Sequence, residues 1–179
     1  AVSAELGPVS ILVNNASIFE DDRADALNET LFDRQFDLHV KAPSFLAQDF
    51  AVLLPQDEEG LIVNIIDERV WKLTPRFYSY TLSKAALWAA TRTMAQTFAP
   101  RIRVNAIGPG PTLPNARQTA QDFARQSEGL LLRRGPDLSE FGATVRYLWA
   151  AKSVTGQMIA LDGGQHLAWE TRELLGIAE

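Results

Sequence analysis

Apolar positions along this chain change period repeatedly, and the changes mark out strands and helices. Residues 10–16, SILVNNA, form a β-branched apolar run stopped by two asparagines; they predict a short buried strand ending in a turn. Over 24–54, Leu31, Phe32, Phe36, Leu38 and Val40 recur near helical spacing, and PSFLAQDFAVLL continues the pattern, so a helix is expected there. A polar loop, PQDEEG (55–60), leads into a second buried strand, LIVNII (61–66). The clearest helix is 78–99, rich in alanine and apolar on more than one face, ended by Pro100. RIRVNAI (101–107) predicts a third strand closed by GPGP, and GQMIALDGG (156–164) a fourth. Between them, 112–134 is mixed and polar and predicts short helices in a mobile excursion, while 137–151 reads as one more helix. The tail after Trp169 receives no assignment. Apolar strands alternating with helices imply an α/β fold: a parallel sheet covered on both faces, in a single domain.

Composition narrows the function. The chain has 179 residues, 46% of them hydrophobic, enough for one compact domain with a substantial core. A formal charge of −5 argues against nucleic-acid binding, which usually needs a basic face. There are no cysteines, so disulfides and thiolate metal sites are excluded. Two histidines, His39 and His166, make a histidine-rich metal site an unpromising reading. No apolar run approaches the ~20 residues of a membrane helix, and no signal peptide is visible, so a cytoplasmic protein without a membrane partner is expected.

The chemistry begins with Tyr80 and Lys84. On a helix, residues four apart share a face. An ammonium beside a phenol stabilises phenolate and lowers its pKa toward working pH, which makes the tyrosine a usable acid or base. Such a pair also arises by chance, and YxxxK alone is a weak pattern. Its surroundings are more specific. The pair opens a helix directly after a buried strand; an NNA turn ends the strand before and a GPG turn the strand after. In an open parallel sheet these strand ends line the ligand crevice.

With LVNNAS (12–17), YTLSK (80–84), RIRVNAIGPG (101–110) and VTGQMIALDGG (154–164), the chain resembles the short-chain dehydrogenase/reductases through nearly its whole length. The resemblance implies a three-layer, doubly wound, Rossmann-like sheet and a nicotinamide cofactor. It also implies that the chain starts just before the family's fourth strand, so that three strands, on the order of 80 residues, and the glycine-rich pyrophosphate turn are missing. Strand 10–16 would then be an apolar edge. On this reading 1–179 is one N-terminally incomplete domain, either part of a longer protein or a truncated gene product. Asn15, Ala16 and Ser17, with Tyr80, Lys84, Pro109, Gly110 and Thr112, would contact the nicotinamide end of the cofactor.

The family's usual serine, thirteen residues before the tyrosine, is here Asp67. An ionised carboxylate only accepts hydrogen bonds, but a protonated one could deliver a proton, which suits reduction of a C=N bond. A surface aspartate in a protein that has lost catalysis is the plainer alternative. The pteridine reductases, a branch of the family, carry aspartate at this position, with an aromatic residue at the position of Phe19 that stacks on the pterin; Phe19 could equally be a hydrophobic anchor for its loop. The bacterial dihydromonapterin reductases resemble the chain further in LHVKAP (38–43), DERV (67–70) and LDGGQHLAW (161–169). The resemblance therefore implies NADP(H), without excluding NAD(H), and a pterin-like substrate held by Phe19, Asp67 and Tyr80. Catalysis would fall to Asp67, Tyr80, Lys84 and His39.

His39 stands where the wider family has asparagine. Pro43, four residues on, cannot donate to the carbonyl of His39, so that carbonyl could hold a relay water; a plain structural kink is the alternative. Two further readings stay open: a reductase of another carbonyl or imine, and a non-catalytic remnant acting as an assembly surface. Leu87, Trp88 and Met94 lie on helix faces that one monomer is not expected to bury together, and a dimer or tetramer fits every reading.

Overall fold

The computed structural model describes residue 5 and residues 7–170; the C-terminal tail beyond Glu170 lies outside them. Four strands form one parallel sheet in the order β1 (Ile11–Asn14), β2 (Gly60–Ile65), β3 (Ile102–Pro109), β4 (Met158–Leu161). Among the described residues they are accompanied by the α-helices α1 (Glu29–Phe36), α2 (Ala42–Leu53), α3 (Tyr78–Phe98), α4 (Ala120–Glu128) and α5 (Leu138–Ala150). Register runs Val13 to Val63, Val63 to Asn105 and Ala106 to Met158, so all four strands point the same way and their C-terminal ends share one rim.

The alternation of side chains along β2 and β3 separates the two faces. Ile62 and Val104 pack against Ala47, Phe50 and Leu54 of α2 and Ala95 of α3, with Ala106, Ile66 and Leu87 continuing that face. Leu61, Val63 and Ile107 face the other way, onto Leu148, Phe141 and Val145 of α5. Helices therefore cover both faces, as the strand–helix alternation predicts. Leu87 is 1% exposed, and Trp88 and Met94 pack in part against the same core. One monomer thus accommodates more of these residues than the sequence suggests. The exposed apolar side chains lie elsewhere, including Phe45, Leu46, Val52 and Leu53 on α2 and Val13 on edge strand β1.

Three elements depart from the sequence reading. The expected helix over 24–54 starts only at Glu29, where Asn28 caps it by accepting from the Leu31 N–H at 2.9 Å. It is then interrupted by a π-turn, Asp37–Lys41, in which the Ala42 N–H donates to the Asp37 carbonyl five residues back. The polar stretch 112–134 contains a single nine-residue helix, α4, capped by Thr119.

Arg101 and Arg103, at the start of β3, close the helix ends on opposite faces. Arg101 donates to the carbonyls of Ala51, Leu54 and Pro55 at the end of α2. Arg103, buried, donates to those of Leu148, Trp149, Ala151 and Val154 at the end of α5. Helix ends leave carbonyls without intrahelical donors, and each guanidinium satisfies several at once. We expect Arg103→Met to lower unfolding free energy by about 2–4 kcal/mol, because it strands these carbonyls. Urea denaturation checks this; an unchanged midpoint would remove the arginine from the account.

Candidate active site

The site lies at the rim, where the turn after β1, the segment after β2, the start of α3 and the segment after β3 meet. Helix α3 starts without a side-chain cap of its own: Phe77 precedes it in left-handed conformation, φ +56°. The cap comes from the β1 turn. Asp21 Oδ1 accepts from the Phe77 N–H at 3.1 Å, the Asp22 carbonyl from the Tyr78 N–H at 3.3 Å, and the Asp22 carboxylate from the Ser79 N–H at 3.0 Å. Two carboxylates at a helix N-terminus satisfy free donors and complement the helix dipole. They also fix where Tyr80 and Lys84 stand.

Tyr80 Oη donates to Asp67 Oδ2 at 2.8 Å, and Asp67 Oδ1 accepts from the Arg69 N–H at 2.9 Å, capping a short 3-10 turn (Glu68–Val70). Burial raises the Asp67 pKa, against the pull of the Arg69 N–H, the Tyr80 hydroxyl and the charges of Arg69 and Lys84. Burial and then the neighbouring Asp67 hold Tyr80 well above its ordinary value. This corrects the expectation that Lys84 lowers the tyrosine toward working pH. Lys84 does share the face, its Nζ 5.7 Å from the Tyr80 ring centre, but it donates to the Ile65 carbonyl at 2.9 Å. Only 2% exposed, Lys84 is itself pushed down to about 8 by desolvation, against the pull of Asp67.

His39 acts through its side chain. Nε2 receives the Ile18 N–H at 3.3 Å and lies 2.9 Å from Ser17 Oγ, so it is the unprotonated nitrogen. Nδ1–H therefore donates to Ser83 Oγ at 2.8 Å, and Ser83 donates onward to the Tyr80 carbonyl at 2.8 Å. The ring ties the β1 turn to the first turns of α3. Desolvation, then the charge of Lys84, hold it neutral, with a pKa of about 3. The sequence places a role for His39 on its backbone carbonyl; the side-chain clamp is a feature that sequence reasoning missed.

Phe19, Asp67, Tyr80, Pro109, Gly110 and Thr112 all line one cleft of about 460 Å³. Lys84 and His39 are buried and fall outside that lining; Asn15, Ala16 and Ser17 lie exposed on the β1 turn, also outside it. Phe19 stacks on Phe77 with centroids 4.1 Å apart and planes 11° from parallel, and meets the edge of Tyr80 at 4.8 Å. Gly110 is required by a close approach, since a Cβ there would come within 2.7 Å of the Asp162 Cα. At Gly163, φ is +62° and a Cβ would meet the Arg134 carbonyl oxygen at 2.3 Å, so the DGG turn packs directly on the loop after α4. Sequence reasoning also missed Phe77, Arg76 and Arg117, which line the same cleft and fall in no motif, and it gave no role to Glu68 and Arg69 of DERV, which line it too. Among the described residues no cluster of three or more metal-ligating side chains occurs.

Residues 1–166 match the family profile described as enoyl-(acyl carrier protein) reductase. The chain belongs to the short-chain dehydrogenase/reductase family. Members of this family are oxidoreductases. The dihydromonapterin reductase of Klebsiella pneumoniae is 30% identical over 172 residues, covering 93% of this chain and 70% of that protein. The 2-dehydro-3-deoxy-D-gluconate 5-dehydrogenase of Escherichia coli is 33% identical over 169 residues, covering 90% of this chain and 67% of that protein. The crystal structure of FolM alternative dihydrofolate reductase 1 from Brucella suis, in complex with NADP, superposes with a TM-score of 0.94. It is 62% identical, over 96% of this chain and 70% of that one.

The clamp predicts an acid-sensitive component of stability. The folded-state pKa of His39 lies below its ordinary value near 6.5, so its contribution is complete above pH 6.5 and is lost as pH falls toward about 3. The stability difference between the parent and His39→Gln should therefore shrink below pH 6.5, by up to about 1.4 kcal/mol per pH unit. Denaturant titrations of both proteins at several pH values measure it; a pH-independent difference would exclude the neutral clamp.

Proposed function

We propose that this protein reduces the C=N bond of a dihydropterin of the dihydromonapterin or dihydrofolate type, with NADPH as reductant. The observation that carries the reading is the Tyr80–Asp67 hydrogen bond of 2.8 Å in a cleft walled by Phe19. A ketone reductase needs a hydrogen-bond donor where Asp67 stands. A carboxyl with a raised pKa suits a nitrogen that must gain a proton as its carbon gains a hydride. Phe19 offers the flat apolar surface that a fused bicyclic ring would stack on. The similarity to FolM alternative dihydrofolate reductase 1 and to a dihydromonapterin reductase supports the same assignment.

The residues present fit the nicotinamide end of NADP(H). Lys84 uses one N–H on the Ile65 carbonyl and keeps two for ribose hydroxyls, beside Tyr80. Asn15, Ala16 and Ser17, with Pro109, Gly110 and Thr112, border the same rim, and Gly110 lets the backbone run close to β4. The cofactor, when bound, supplies the hydride. Asp67 supplies the proton to the ring nitrogen, since Tyr80 is held too far above its ordinary pKa to be the stronger acid. Tyr80 orients the carboxyl, Lys84 holds positive charge beneath it, and His39 steadies both helix and turn. We also propose a homo-oligomer, in which the exposed apolar residues of α2 would find cover.

Asp67→Ser should lower dihydropterin turnover about a hundredfold or more while changing NADPH affinity little, and Tyr80→Phe should lower kcat by a similar factor. Steady-state kinetics with dihydromonapterin and dihydrofolate, together with NADPH fluorescence titration, separate the two effects. Full turnover in Asp67→Ser would remove the acid from the mechanism. If the parent protein reduced ketones but no dihydropterin, the carbonyl reading would replace this one.

A further inference from the structure

Exposure along the cleft runs in one direction. Its inner end is Tyr80 and Asp67, both largely buried; its outer end is Arg76 and Arg117, both exposed. Arg117 Cζ lies 5.2 Å from the Phe19 ring centre and 5.4 Å from that of Phe77. Being nearly equidistant from two stacked rings, the guanidinium sits at the rim of the stack, beside the place where a flat ring would leave the cleft. Arg76 lies 5.4 Å from the Phe77 centre on the same outer side.

The two arginines differ in what already occupies them. Arg76 is paired with Asp21. Arg117 donates one hydrogen bond, to the Phe19 carbonyl at 3.0 Å, and among the described residues no carboxylate lies within ion-pair distance of it. Asp21 feels its charge only at longer range, behind Arg76 and the Phe77 N–H. Asp67 and Glu68, the other acids on the cleft, are at its buried end.

Arg117 is also held in place. Asn115 Oδ1 accepts from the Arg117 backbone N–H at 2.9 Å. Asn115 Nδ2 donates to Gln118 Oε1 at 2.8 Å, and Gln118 Nε2 donates to Gln126 Oε1 of α4 at 2.7 Å. This amide ladder ties the turn carrying Arg117 to α4. A positioned guanidinium with unused donors, at the exit of an aromatic slot, suits a carboxylate.

We propose that Arg117, flanked by Arg76, binds the carboxylate-bearing tail of the substrate, so that the site favours pterins with an anionic side chain over pterins with a neutral polyol. The inference rests on the dihydropterin reading above and names the substrate class within it. Dihydrofolate, whose tail ends in a glutamate, is the test ligand for the anionic class, and dihydromonapterin for the neutral one.

The experiment compares kcat/KM for these two substrates in the NADPH-loaded full-length protein, in Arg117→Gln and in Arg117→Lys, at low and high KCl. The ratio of dihydrofolate to dihydromonapterin should fall about tenfold in Arg117→Gln, the loss of one charge-assisted contact, and only in part in Arg117→Lys. Salt should lower the ratio in the parent and leave it unmoved in Arg117→Gln. If both substrates lose equally, Arg117 is a structural residue and the inference falls. If instead NADPH affinity drops and the ratio holds, the arginine serves a cofactor phosphate and the inference also falls. If the parent reduces neither pterin, the dihydropterin reading itself fails, an outcome distinct from a parent that reduces both without discrimination by Arg117.

Discussion

Helix α3 starts with no capping side chain of its own, and the site depends on how that deficit is met. Its first N–H groups would be unsatisfied in a partly buried setting, at a cost of about 1–3 kcal/mol each. Asp21 and Asp22, from the turn after β1, supply the acceptors. The arrangement fixes two elements at once. It sets the start of the helix that carries Tyr80, Ser83 and Lys84, and it pins the turn that carries Ser17 and Phe19. His39 adds a second tie a few ångströms away, from Ser17 and Ile18 through its ring to Ser83. Phe77 takes the left-handed backbone conformation between the two ties, a region costly for a residue with a Cβ. The bond from its N–H to Asp21 holds it there, and its ring completes the stack with Phe19.

Burial then sets the charge of the ionisable groups around the cleft. His39 is kept neutral, Lys84 is brought down to about 8, Glu68 is brought up to about 7, and Asp67 is raised in the same direction. The first cause is the same in all four: removal from water disfavours the charged form. The consequence differs by residue type. The histidine loses its capacity to titrate near neutrality and becomes a fixed tautomer, whereas the carboxyl of Asp67 is moved toward being a proton donor. For Glu68 the neighbouring charge of Asp67 adds to the rise that burial begins. A polar, open setting for the same residues would leave an ionised aspartate that only accepts.

The sheet and its helices were legible because their signals are local and repeat: β-branched runs for the strands, and an alanine-rich apolar pattern ended by Pro100 for α3. The boundaries that moved did so for non-repeating reasons. The helix over 24–54 was read as one because the spacing of Leu31, Phe32, Phe36, Leu38 and Val40 tolerates a π-turn. One extra residue per turn shifts the apolar face without erasing the pattern. Tyr80, Lys84 and Asp67 were legible as a set because the helix spacing and the strand end put them on one rim. The direction of the tyrosine pKa was not, because it depends on how deeply the pair is buried and on Lys84 turning to the Ile65 carbonyl. Asp22, Arg103 and Arg117 act across dozens of residues of separation, on backbone groups with no sequence signature, so their partners were not legible even though Arg103 lies inside RIRVNAIGPG.

The position of Asp67 is explained by these constraints together. A carboxyl placed at a strand end, beside a buried tyrosine, is pushed toward its neutral form by loss of water, and the hydrogen bonds it accepts pull the other way. Here the strand's last turn gives it the Arg69 N–H and the helix start gives it the Tyr80 hydroxyl, so both oxygens are engaged while the carboxyl remains largely out of water. Arg69 lies 3.7 Å from Oδ1, at the outer limit of an ion pair, and moderates the rise in pKa without cancelling it. On the proposed mechanism the tyrosine hydroxyl, which donates to the aspartate, is engaged rather than free. Aspartate in place of the serine would then change more than one hydrogen-bonding group: it would move the acidic role along the rim from Tyr80 to Asp67, and leave Tyr80 as the group that aims it.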